Sequence, residues 1–157
     1  MVGYENQLWI LLDVLIAAVL SSLIGLEREK LSKPAGLRTN MIVGSISCFF
    51  VSISPNLSNF IQSSIESDLI RVDPIRILQA IIVGISFIGA GTILKSKEEN
   101  TVQNLTTASI LLYSTGIGIA VALKAYIIAL GLALIGLLIN SLHHWQRLKA
   151  LFSKRKK

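Results

Sequence analysis

Residues 7–25 read QLWILLDVLIAAVLSSLIG, and this stretch decides the fold. It is apolar over a length within the roughly 17–25 residues that a helix needs to cross a bilayer. Its single ionisable residue is Asp13. A carboxylate at that depth costs on the order of 2.5–3.5 kcal/mol on insertion scales, so it calls for a partner or a task. Asp13, Ala17, Ser21, Gly25 and Arg28 follow helical spacing and share one face. A stripe so polar and small belongs against protein rather than lipid, where small residues let helices pack closely.

Four more apolar segments follow, at about 38–53, 74–94, 105–123 and 126–142. Pro34 and Gly36 break the chain after the first span, and Pro55 follows the second. Asp73 suits an N-cap and Pro74 the first helical position of the third. Residues 105–142 would make a helix of about 57 Å, nearly twice the ~30 Å hydrocarbon core, so the chain must turn. Lys124, the lone charge in that stretch, marks the place. The expectation is an all-α integral membrane bundle of about five transmembrane helices, comprising residues 1–146 and followed by a basic tail at 147–157. The polar and glycine-rich faces place spans one, three and four in the middle, with two and five nearer the lipid.

The composition agrees: 52% of the 157 residues are apolar and 15% charged, against about 25% charged in a soluble domain. The net charge of +6 is concentrated in the tail, where six of fifteen basic residues lie beyond position 146. That distribution fits anionic lipid headgroups and excludes a nucleic-acid surface as the main reading. With the N-terminus outside, twelve Lys and Arg fall on the cytoplasmic side against Arg71, Arg76 and Lys124 on the other. The positive-inside rule selects that orientation and a cytoplasmic C-terminus. The first residues carry Glu5 and no Lys or Arg, which argues against a cleaved signal and for a retained first span. Within the outer loop, IQSSIESDLI reads as a short interfacial helix.

Arg28 lies about 22 Å along the helix from Asp13, too far to pair with it. Arg76, in the first turn of span three, is the expected partner, since a long side chain can dip into the membrane. The loop LEREKLSKPAGLRTN brings Glu27, Arg28 and Arg38 to the mouth of span two, where Arg38 can pair with Glu27 or meet a phosphate headgroup. Span three carries Gly84, Gly89 and Gly91, which read as a close-packing face or a backbone lining a cavity. Span four opens on Thr106 and Thr107. His143 and His144 are adjacent and point apart, a poor start for a metal site. No glycine-rich nucleotide fingerprint, HExxH or nucleophile–base pair is present, so no catalytic residue, metal site or cofactor is expected.

Taken in order, LIGLERE (23–29), AGLRTN (35–40), GISFIGAGTIL (84–94) and NLTTAS (104–109) resemble the MgtC/SapB family of bacterial membrane proteins. The resemblance implies motif positions at Gly25, Glu27, Arg28, Gly36, Leu37, Arg38, Thr39, Gly84, Gly89, Gly91, Thr106 and Thr107, with Arg76 also matching. Departures occur at Val83, Ser86, Asn104 and Leu112. Several relatives carry a soluble C-terminal domain, and here a short basic tail is expected instead. The resemblance implies a multi-pass protein of the inner cell membrane linked to magnesium homeostasis. It implies a regulator of other membrane complexes, or a protein that self-associates, rather than an enzyme. The alternative is a transporter or channel for Mg2+ or another cation, in which an oligomer assembles a ring of Asp13.

Overall fold

The structure is a computed structural model. It describes residues 3–64, 73–95 and 102–154, and the side chains within them other than those of residues 64, 94–95 and 142–154. Five helices follow one another: α1 (Tyr4–Lys30), α2 (Leu37–Ser64), α3 (Pro74–Thr92), α4 (Leu105–Ala122) and α5 (Tyr126–Lys154). Between α3 and α4 the chain makes a small antiparallel ladder, β1 (Leu94–Lys95) against β2 (Val102–Gln103), which the sequence reading did not anticipate. The first four helices are each long and apolar enough to cross a membrane, and α5 is apolar over Tyr126–Ser141.

The helix ends explain why the turns fall where they do. Beyond α1, the Ser32 amide reaches the Glu29 carbonyl at 3.0 Å and the Lys33 amide reaches Arg28 at 3.1 Å. With Ser32 at φ 51°, this pair of bonds is a Schellman cap. The same motif ends α4: Lys124 bonds the Val121 carbonyl at 2.8 Å, Ala125 bonds Ala120 at 2.9 Å, and Lys124 sits at φ 59°. The α4–α5 turn is therefore at Lys124, with a lysine in the left-handed conformation that glycine usually takes. Asp73 caps α3 by accepting the Ile75 amide at 2.9 Å, as its sequence predicts.

Two expectations are corrected. Span two does not stop before Pro55, because α2 continues through it to Ser64. A mid-helix proline removes the N–H that would reach back one turn, here to the Val51 carbonyl. The Ser54 hydroxyl takes that carbonyl instead, at 2.8 Å. Ser54→Ala should therefore cost about 1 kcal/mol by orphaning the carbonyl. Thermal unfolding in detergent would check it, and an unchanged midpoint would remove the compensation. Residues 61–64 of the expected interfacial helix are the last turn of α2, and the rest of it lies outside the described residues.

The second correction concerns the layers. The centre is α1, α2 and α4, whereas only 6% of the apolar window of α3 is buried, against 50% for α4. Around Ala17, Ile24, Cys48, Ile117 and Val121 the three central helices share one core. The reason is a close crossing of α2 and α4: a Cβ on Gly118 would lie 2.2 Å from the Gly44 carbonyl oxygen. Gly84 and Gly91 of α3, by contrast, have no neighbour within 4 Å of the position a Cβ would take. The last helix, α5, runs on to Lys154.

Candidate functional site

The stripe on α1 is buried along its whole length: Asp13, Ala17, Ser21, Ile24, Gly25 and Arg28 all face the bundle. It carries a charged residue near each end, and each is met by a different set of partners.

At the first end, Asp13 is 1% exposed. Its carboxylate accepts hydrogen bonds from the Lys124 ammonium and from the Tyr126 hydroxyl, the latter at 2.8 Å. The Schellman cap at Lys124 thus aims two donors, Lys124 in the turn and Tyr126 at the start of α5, into α1. Lys124 lies in the turn, outside the spans, and its pKa is held above the ordinary lysine value, chiefly by the bond to Asp13 and against a smaller opposing effect of burial. The expected Asp13–Arg76 pair does not form. Arg76 is 84% exposed at its side chain and lies 3.9 Å from Asp73, three residues earlier. A local acid at i−3 captures the arginine, and Asp13 takes the cation of a turn 111 residues away.

At the second end the family-motif residues divide. Arg28 is 7% exposed and donates from Nη2 to the Thr107 hydroxyl at 2.6 Å, joining α1 to α4. Gly25 lies under the start of α2, where a Cβ would come within 2.7 Å of the Leu37 Cα. Glu29 caps α2 by accepting the Leu37 amide at 3.1 Å. Asn40 is fully buried, and its amide donates to the carbonyls of Ala35 and Gly36 at 2.7 and 2.8 Å. Those bonds hold Ala35 at φ 55°, a conformation that costs a non-glycine residue on the order of 1 kcal/mol or more. The Asn40 oxygen accepts the Ser114 hydroxyl at 2.7 Å, completing a link from the loop to α4. Arg38, Thr39 and Thr106 are exposed, as are Gly84 and Gly91 on α3, while Gly89 is buried against Ala108 of α4. Glu27 is half-buried between α1 and α5.

Sequence reasoning missed Lys124 and Tyr126 as partners and Asn40 as the clamp. Tyr126 falls two residues after the one charge in the last apolar stretch, which was the available signal. No cluster of three or more His, Cys, Asp or Glu residues able to hold a metal ion occurs among the described residues.

A bundle of apolar helices, four of them long and apolar enough to cross a bilayer, is a multi-pass helical membrane protein. The sequence pattern of the MgtC family matches residues 14–148, and the chain belongs to that family. It is 36% identical over 117 residues to Protein SapB of Bacillus subtilis, covering 74% of this chain and 49% of that one. It is 36% identical over 132 residues to Protein MgtC of Salmonella typhimurium, covering 84% and 51%. A magnesium-transporter candidate of Escherichia coli, YhiD, is 31% identical over 134 residues, covering 85% and 60%. The chain thus spans about half the length of the curated relatives it matches. No solved structure matches.

Proposed function

We propose that this protein is a non-enzymatic component of the inner cell membrane that modulates other membrane complexes in magnesium homeostasis. Its N-terminus faces outward and its C-terminus the cytoplasm. The observation that carries this reading is the state of Asp13. A cation path needs oxygen ligands left free for the ion, and Mg2+ demands near-octahedral oxygen coordination and gives up its water reluctantly. Asp13 is instead occupied on both oxygens by Lys124 and Tyr126 of its own chain. A ring of Asp13 from several copies would have to break both bonds in each copy.

The second reading, a cation transporter, is favoured by the name of the YhiD relative. The two separate in vesicles that hold only the purified protein, with Mg2+ and proton indicators inside. The modulatory reading expects flux no greater than in empty vesicles, for the native chain and for Asp13→Asn alike. Mg2+ entry that Asp13→Asn abolishes would replace it with the transporter.

A further inference from the structure

A cavity of about 260 Å³ opens at the Arg28 end of the bundle, between the end of α1, the start of α4 and the middle of α5. Its polar lining consists of Arg28, Lys33, Asn104, Thr106, Thr107 and Asn140. Two of these residues are cations and the others carry hydroxyl or amide groups; no carboxylate lines it among the described residues. Glu27, the acid beside Arg28 in the chain, lines the neighbouring cavity with Lys30.

Among the described residues, two donors beside this cavity have no partner. The Nε of Arg28 and the Nδ2 of Asn140 are both buried and lack a hydrogen-bond partner. Arg28 is committed to Thr107 only through Nη2. A buried donor without an acceptor costs about 1–3 kcal/mol, more when it is charged, so two at one cavity mark a missing acceptor. The start of α4 adds to the demand. Asn104 stands at its N-cap but makes no side-chain capping bond, and its amide nitrogen donates to the Thr92 carbonyl at 3.1 Å. Asn104, Thr106 and Thr107 of this helix start line the cavity, and the positive end of the helix dipole lies there.

We infer that this cavity is a binding site for a phosphate-type oxyanion, held by Arg28, Asn140, Lys33 and the first turn of α4. The donors come from three elements in different directions, which suits a tetrahedral anion better than a planar carboxylate. Arg28 is the anchor, since its guanidinium keeps its charge and offers further N–H groups after bonding Thr107. Lys33 is an exposed point charge at the rim. The same chemistry is supplied by a phospholipid headgroup from the bilayer or by a free phosphate or phosphomonoester from water. Either would tie α1, α4 and α5 together at this end, opposite the Asp13 link. The site goes beyond the modulatory reading and does not depend on it.

The test uses the full chain with two variants, Lys33→Gln and Asn140→Asp. The first changes an exposed residue and should fold normally. The second keeps the side-chain shape and turns a donor into a competing carboxylate beside Arg28. In one arm, protein from nanodiscs containing phosphatidylglycerol is transferred to detergent, and retained lipid is read by native mass spectrometry. In the other, delipidated protein is titrated with inorganic phosphate against chloride and acetate at equal ionic strength, followed by thermal shift. Each variant should weaken binding about tenfold in whichever arm responds, the loss of one charge-assisted contact. Response in the lipid arm assigns the site to a headgroup, and response in the phosphate arm to a soluble phosphate. No retention and no shift in the native protein, or equal values in all three proteins, would overturn the inference.

Discussion

Gly118→Ala is expected to destabilise the protein by about 3 kcal/mol, the upper part of the range for overpacking a close contact. The added methyl would sit 2.2 Å from the Gly44 carbonyl oxygen and 3.1 Å from the Cys48 nitrogen. Neither atom is the end of a flexible side chain, so α2 and α4 would have to separate. That crossing lies in the three-helix core, and Ile117 and Val121 beside Gly118 are both fully buried. Gly84→Ala and Gly91→Ala are the controls. They add a methyl to open space on α3 and should change stability by no more than about 0.5 kcal/mol. Unfolding of the three variants in one detergent, by heat or by titration with a denaturing detergent, gives the comparison. A Gly118→Ala midpoint equal to that of Gly84→Ala would mean that the helices do not cross here.

Lys124→Met is expected to cost about 2 kcal/mol, by leaving the buried carboxylate of Asp13 with the Tyr126 hydroxyl alone. Removing one partner of a fully buried ion pair costs roughly 3–5 kcal/mol. Here the lysine side chain is 54% exposed, so solvent already screens part of the pair and the expected cost is lower. Asp13→Asn should cost less, since an amide oxygen still accepts from Tyr126 and the freed lysine reaches water. The double variant should be more stable than the sum of the single effects, because it removes both charges together. Additive losses would show that the two side chains do not interact. The pH dependence has a definite sign. The bond raises the Lys124 pKa above its ordinary 10.5. Its contribution is therefore fully present below that value and is lost as pH rises through the higher folded value. Stability between pH 6 and 9, the range of about neutral assays, should not change through this group.

The bundle was legible because its signals are local. Span lengths, the Asp73 cap, the turn at Lys124 and the Asp13–Arg28 stripe all follow from composition or from spacing along one helix. The parts that were not legible depend on what a residue meets in space. Asp13 and Arg76 are plausible partners in a list of charges, but Asp73 is three residues from Arg76 and claims it. Pro55 is a helix breaker by rule, and a hydroxyl one residue earlier cancels much of the effect. The glycines of α3 and those of α2 and α4 look equally suited to packing, yet Gly44 and Gly118 meet closely and Gly89 packs on Ala108, while Gly84, Gly91 and Gly116 remain open. Asn40 sat within a recognisable motif, but its bonds to Ala35, Gly36 and Ser114 span a loop and another helix. No spacing rule assigns those partners.

The union of Asp13 with the α4–α5 turn also sets a schedule for biogenesis. The partners of Asp13 lie 111 and 113 residues further along the chain. At translation rates of about 5–20 residues per second, the first helix waits roughly 5–20 s before they are made. During that interval it carries an acid without its native counter-charge, and its place in the membrane is provisional. The α4–α5 hairpin, made later, is the piece that locks the first helix in.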